Sequence, residues 1–252
     1  MRYFAISDVH IDYAVNDAWL RALSARDYRE DVLLLAGDIS SDLPRLEETL
    51  TRLRDRFLEV FFVPGNHDLW VRRGDGLDSL GKFERIQEVC SRLAVQTAPR
   101  RIGSLRIVPL LSWYDFSFGQ PGEDLKNRWA DFRMCVWPAG MELAEVSAWF
   151  HARNTVQLPL PGETILSFSH FLPRRDVLPR RIDPNEYFLM PVLGSVGLGE
   201  QVLRIKPSIH VFGHSHINNV CAFDGTTFIN NAFGYPSESR FTRKDLVELP
   251  IG

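Results

Sequence analysis

Cysteine is scarce in this chain: three residues, Cys90, Cys135 and Cys221, in a length of 252. They stand far apart, in neither disulfide-scaffold nor zinc-finger spacing, which fits a reducing compartment. No apolar run approaches the ~20 residues that a membrane span requires. The amino terminus, "MRYFAISDVH", enters an apolar strand pattern at once and leaves no room for a signal peptide. A cytoplasmic protein with no membrane partner is expected. A strong charge bias is lacking too. The net charge of −3 gives no global electrostatic case for nucleic acid or an anionic surface. Repeats, low-complexity tracts and an interdomain linker are also missing, so residues 1–252 are expected to fold as one domain.

What is present is alternation. "RYFAI", "DVLLLAG" and "VFFVPG" are short apolar runs closed by turn residues, the pattern of buried strands. Between and after them lie helical patterns. These are "DAWLRALSA" after Asn16, "LPRLEETLTRLRDRF" after Asp42 with Pro44 early, and "SLGKFERIQEVCSRL". This βαβαβ opening predicts parallel strands covered by helices. The second half adds strands in "LRIVPLLSW", "TILSFSH" and "SIHVF", with a helix around "MELAEVSAWFHAR". "GSVGLG", residues 194–199, is read as a loop entering the helix "EQVLRI". "NNVCAFDGTTFINN" is a hairpin signal, because Asp224-Gly225 suits a tight primed turn. The expected fold class is α/β: a four-layer αββα sandwich, two mixed β-sheets flanked by helices. Irregular stretches near 113–138 and 172–194 are expected to border a site, since long loops in compact domains are often functional.

Seven histidines are present, and five stand at or just beyond apolar strand ends, beside carboxylates or asparagine. They fall in "SDVH" (Asp8, His10), "GNHD" (Asn66, His67, Asp68), "SFSH" (His170) and "FGHSH" (His214, His216); "LLLAGD" adds Asp38. His151 and His210, within helical and strand patterns, are read as structural. Ligands of open α/β sheets bind beyond the carboxyl ends of strands. Residues two apart on extended chain share a face, so Asp8 with His10, and His214 with His216, can point into one crevice. Imidazole with carboxylate and amide oxygen suits Mn²⁺, Fe²⁺ or Zn²⁺ over Ca²⁺ or Cu(I). The candidate ligands exceed the needs of one tetrahedral zinc and fit two metals sharing a carboxylate, an arrangement that generates hydroxide for in-line displacement at phosphorus. Two divalent ions with two aspartates and one hydroxide leave the site net positive, which favours an anionic phosphate ester over a neutral amide.

Taken in order, "D-x-H … GD … GNHD … H … GHSH" resembles the calcineurin-like metallophosphoesterase family, whose fold is a β-sandwich flanked by helices. The resemblance implies two divalent metal ions as cofactors (Mn, Fe or Zn). Asp8, His10 and His216 would hold the first, Asn66, His170 and His214 the second, and Asp38 would bridge. It places His67 just outside the metals, donating to a phosphoryl oxygen or protonating the leaving group, with Asp68, or else Asp42, orienting it. The protein-phosphatase branch resembles "GDYVDRG" after the bridging aspartate; this chain has "GDISSDL", without the arginine, which speaks against a protein phosphatase. The basic face and added domains of a repair nuclease are not visible. "SHFLPR" and "HVFGHSH" resemble small bacterial-type members.

The expected function is hydrolysis of a small phosphate ester, as a phosphodiesterase or phosphomonoesterase, by a metal-bridging hydroxide. The alternatives are a non-enzymatic metal-binding scaffold of the same fold and a nuclease. Arg72-Arg73, Arg174-Arg175 and Arg180-Arg181 are candidates to grip phosphate. Trp70, Trp113 and Tyr114 are candidates either to stack on a leaving group or to pack as core.

Overall fold

The short apolar runs become the strands of two mixed sheets in a computed structural model, which describes residues 1–71 and 76–251. β1 (Tyr3–Ile6), β2 (Val32–Ala36) and β3 (Glu59–Val63) lie parallel in the first sheet. The second is built from β4 (Arg100–Ile102), β5 (Leu105–Pro109), β6 (Thr164–Phe168), β7 (Ile209–Phe212), β8 (Asn219–Phe223) and β9 (Thr226–Asn230), in the order β4-β5-β6-β7-β9-β8. Its four inner strands are parallel and its two edges antiparallel. The chain returns to the first sheet as β10 (Val247–Glu248), antiparallel to β1.

Two-residue periodicity lets each inner strand serve two cores. In β2, Val32, Leu34 and Ala36 face the second sheet, packing with Phe61, Leu166 and Val211. Leu33 and Leu35 face the other way, into the cluster that holds the helices. All five side chains of β2 are fully buried, each large one contributing roughly 1.5–3 kcal/mol. The helices α1 (Ala14–Ala22), α2 (Leu43–Arg54), α3 (Ser79–Arg92), α4 (Glu123–Arg128), α5 (Asp131–Met134), α6 (Leu143–His151) and α7 (Val196–Ile205) flank the two sheets. Trp113 and Tyr114 belong to this packing, at 1% and 0% exposure, and offer no stacking face. No described helix is long and apolar enough to cross a membrane.

Local chemistry sets the helix ends. Asp42 caps α2 by accepting from the Arg45 amide at 3.1 Å, and Asp78 caps α3 through the Gly81 amide at 2.7 Å. Two starts differ from the sequence expectation. α1 begins at Ala14, so Asn16 lies inside its first turn. Its buried Nδ2 donates to the Val9 carbonyl (2.8 Å) and the Gly234 carbonyl (3.1 Å), tying the loop after β1 to the last part of the chain. α7 takes in most of "GSVGLG": Ser195 caps it, and Gly199 is required because a Cβ there would meet the Pro173 carbonyl oxygen at 2.3 Å. The hairpin between β8 and β9 turns through Asp224 (φ 52°) and Gly225 (φ 83°), both left-handed, as a primed turn demands.

His210 is structural. It is fully buried, with Nδ1 at 2.8 Å from Ser167 Oγ and Nε2 at 3.1 Å from Ser169 Oγ, and burial pushes its pKa down to about 3. An unfolded chain takes up this proton near the ordinary histidine value of about 6.5, while the folded chain refuses it until about pH 3. The stability tied to neutral His210 is therefore full above pH 6.5 and falls as the pH drops towards 3. His210→Gln is expected to remove about 2 kcal/mol of the stability loss between pH 7 and pH 5, measured by urea unfolding of both proteins.

Candidate metal centre

β1, β2, β3, β6 and β7 all end where a ligand-type side chain follows within a few residues. Turning the backbone so sharply forces left-handed conformations. Asp8 (φ 53°), His10 (44°), Asp38 (58°), His214 (67°) and His216 (51°) all adopt one. Such residues cost on the order of 1–3 kcal/mol each unless their surroundings hold them.

Hydrogen bonds between the turns do the holding. The Asp8 amide donates to the Gly37 carbonyl at 2.9 Å, and the His10 amide to the Asp38 carbonyl at 3.0 Å. The buried Asp68 carboxylate accepts from the amides of Asp38 (2.8 Å), Ile39 (2.8 Å), Ser40 (3.1 Å) and Gly65 (2.9 Å). These bonds clamp the turns after β2 and β3, and Asp68 does not orient His67 as expected from the sequence. The other candidate for that task, Asp42, caps α2. Gly65 allows the clamp, since a Cβ there would lie 2.2 Å from Asp38 Oδ1.

The turns bring the seven expected ligands together. Asp8, His10, Asp38 and His216 place ligand atoms within 4.8 Å of one another, and Asp38, His170 and His214 do the same. Asp38 belongs to both groups. Asn66 joins the second, its Oδ1 at 3.0 Å from His170 Nε2.

Lone pairs decide what this arrangement can hold. A neutral imidazole has one N–H and one lone pair. His170 Nδ1 faces the Ala36 carbonyl at 2.9 Å and so carries the hydrogen; its Nε2 lone pair points at His214 Nδ1, 3.2 Å away. His214 commits its own N–H to the Val192 carbonyl at 3.0 Å, leaving Nδ1 as a lone pair too. Asn66 donates through Nδ2 to Asp131 at 2.9 Å, so its oxygen is the atom turned inward. In the other group, His216 Nδ1 lies 2.6 Å from Glu238 Oε2, turning Nε2 towards Asp8 Oδ1 (3.2 Å) and His10 Nε2 (3.1 Å). Acceptors facing acceptors in a buried place call for a cation. This nitrogen and oxygen set fits divalent first-row metal ions.

The titration directions agree with that demand. Burial opposes charge on His216, but Asp8 and Glu238 on either side push its pKa up to about 9. Burial also opposes ionisation of Asp8, yet His216 beside it holds its carboxyl well below the usual range. Burial, with Asp8 and Asp68 nearby, holds Asp38 well above it.

His67 stands outside both groups, with Nε2 at 4.0 Å from Asp38 Oδ2. Its ring stacks on Trp70 at a centroid separation of 3.6 Å, and Tyr235 Oη lies 3.3 Å from Nε2. Trp70 thus stacks on a histidine of the site, and its indole N–H donates to Asp131 at 2.7 Å. Asp131 also accepts from Trp129 Nε1 and Tyr114 Oη. Asp131, Glu238 and Tyr235 escaped the sequence reading. The one signal was that Asp131 and the tryptophans fall in the irregular stretch 113–138.

A cleft of about 500 Å³ opens beside His67, Asn66, His214 and His216. Ile182, Leu189 and Phe241 give it apolar walls, and Arg181 is the one arginine or lysine lining it among the described residues. Arg174, Arg175 and Arg180 do not line it. Arg174 is bound by Asp176 and Asp224, and Arg175 donates to Pro184 and Asn185. Arg72 and Arg73 fall outside the described residues.

Two sheets flanked by helices, with nitrogen and oxygen donors that could hold a metal at the strand ends, suit a metal-dependent hydrolase. A family model described as calcineurin-like phosphoesterase matches residues 1–218, and the chain belongs to that family. It is similar to the acyl-carrier-protein phosphodiesterase PptH of Mycobacterium tuberculosis, 28% identical over 266 residues that cover 94% of this chain and 79% of that protein. The crystal structure of phosphopantetheinyl hydrolase (PptH) from Mycobacterium tuberculosis shares the fold. Its TM-score is 0.75 at 24% identity, over 99% of this chain and 95% of that one. The protein is a metal-dependent phosphoric ester hydrolase.

Carboxylates that orient a ligating imidazole typically raise metal affinity 10–100-fold. Glu238→Gln is expected to weaken divalent-ion binding by about that factor, measured by calorimetric titration of the stripped protein with Mn²⁺ or Zn²⁺.

Proposed function

We propose that this hydrolase is a two-metal phosphodiesterase that removes a phosphopantetheinyl group from a carrier protein. The observation that carries the two-metal part is the pair of lone-pair groups sharing one carboxylate, Asp38. Asp8, His10, His216 and Asp38 would hold one ion, and Asn66, His170, His214 and Asp38 the other. Bound divalent ions supply an activated water and neutralise charge for in-line displacement at phosphorus. His67, held flat on Trp70 and facing the cleft, donates to the phosphoryl oxygen or to the departing oxygen. Hydrolysis breaks one phosphorus–oxygen bond, adds water to phosphorus, and returns the proton to the carrier's hydroxyl. The arm leaves as a phosphomonoester.

Two features support a diester carried on a protein over the free small ester expected from sequence. The similar protein PptH is an acyl-carrier-protein phosphodiesterase. The cleft is apolar along its walls, which suits a flexible organic arm, and Arg181 is its one arginine or lysine among the described residues. A diester brings one negative charge; a monoester dianion would call for a more basic wall.

The direct test supplies metal-stripped protein with Mn²⁺, Fe²⁺ or Zn²⁺ and follows the mass of a holo acyl-carrier protein. Loss of the arm is expected, with bis-p-nitrophenyl phosphate hydrolysed faster than p-nitrophenyl phosphate. An unchanged carrier alongside a monoester preference would sink the reading. His67→Ala is expected to lower turnover about 10²–10⁴-fold with metal content nearly intact by elemental analysis. Full activity in that variant would remove His67 from the chemistry.

A further inference from the structure

Most described arginines are engaged by a carboxylate or a backbone carbonyl. Arg128, Arg180, Arg181, Arg240 and Arg243 form no ion pair or side-chain hydrogen bond among the described residues, and all five are exposed. Only Arg26 and Arg204 elsewhere share that state. The five come from three stretches far apart in the chain, and each stretch borders the metal-site cleft. Arg128 adjoins Trp129, Arg180 and Arg181 adjoin Ile182, and Arg240 and Arg243 flank Phe241, all three neighbours being lining residues.

Carboxylates stand in the same stretches, Asp124, Asp183, Glu186 and Asp245 among them, but none forms an ion pair with any of the five arginines. On the second and third stretches, Asp183 accepts from the Asn185 amide, Glu238 holds His216, and Asp245 accepts from the Leu246 amide. Glu186 lines a separate cavity with Gly119 and Arg175. Phe241, which lines the cleft, is an exposed aromatic at 55%. Leaving five arginines unpaired in the stretches that line one cleft, on a chain of net charge −3, points to a partner that supplies the counter-charges.

We infer that this rim is a docking collar for an acidic protein surface, the body of the carrier whose arm enters the cleft. The inference rests on the function proposed above and names where the carrier sits. Arginine with exposed aromatic side chains is the composition of protein interface cores. A nucleic-acid site would instead track a backbone along a continuous basic groove. Rim charges act mainly on encounter and on salt sensitivity, so the collar governs capture of the carrier and not the chemical step.

The test uses the full-length, metal-loaded enzyme with Arg128→Glu, Arg180→Glu, Arg240→Glu and Arg243→Glu, singly and combined. Arg181 is left alone because it lines the cleft. Two substrates are compared: a holo acyl-carrier protein and bis-p-nitrophenyl phosphate. The combined variant is expected to raise KM for the carrier about tenfold or more while leaving bis-p-nitrophenyl phosphate turnover within about twofold, which also shows that it folds and holds metal. Added NaCl should weaken carrier turnover by the wild type and have little further effect on the variant. Unchanged carrier kinetics in the variant overturn the collar and leave the function standing. The collar equally fails if a single-stranded oligonucleotide binds the wild type and not the variant while carrier kinetics stay level; the rim then serves nucleic acid. A wild type that cleaves bis-p-nitrophenyl phosphate and never the carrier refutes the proposed function, and the collar with it.

Discussion

Lone pairs aimed at one another are the constraint on which the rest of this structure turns. Four imidazoles, one amide oxygen and two carboxylates converge in a buried place, with the hydrogens of His170, His214 and His216 committed outward. Without a metal ion only an added proton, such as the one Asp8 and Glu238 favour on His216, relieves the repulsion in such a set, so the fold must hold it in place. Five of the seven residues are held in left-handed backbone. Free in solution, these turns would relax. They persist because the strands behind them are locked in a core that runs on both faces of each sheet, and because Asp68 ties two turns together through four amides. Core stability is here converted into strain at the site, a trade common where function needs preorganisation.

A second ring of groups fixes which atom each ligand presents. The Ala36 and Val192 carbonyls set the tautomers of His170 and His214, Glu238 sets that of His216, and Asp131 sets the orientation of Asn66. Val192 closes the stretch 172–194, and Asp131 lies in the middle of 113–138. The two irregular stretches therefore do more than border the cleft. They supply the partners that turn a collection of donors into an aimed set, and their length is what lets them reach it from the far side.

How much of this was legible depended on whether the signal was local. Each ligand motif joins an apolar strand, a turn and a ligand within a few residues, so "SDVH", "LLLAGD" and "FGHSH" declare both their fold and their chemistry. The α/β pattern was legible for the same reason. Glu238 and Tyr235 gave no such sign: they sit beside a short turn of ordinary composition, and their importance comes from His216 and His67, which are close in space but not in sequence. Asp68 misled for the opposite reason. Its place beside His67 suggests a pair, yet a buried carboxylate goes first to unsatisfied amides, and the tight turns after β2 and β3 offer four. Asn16 shows the same preference, its amide serving buried carbonyls from inside the first turn of α1, where the helical pattern was expected to start only after it.

Charge gives the last step. A net charge of −3 argues against polyanionic partners only if the charge is spread evenly, because fields between exposed groups fade over about 8 Å at physiological salt. A partner approaching the metal site meets what lies within that distance. Arg181 lines the cleft, and unpaired Arg128, Arg180, Arg240 and Arg243 belong to the chain stretches that line it, while acidic side chains such as Glu47, Glu48 and Glu88 are paired with arginines on the helices α2 and α3. Composition averages over both faces and so hides the one that matters. Sequence reads chemistry well where residues are neighbours in the chain, and poorly where the fold alone makes them neighbours.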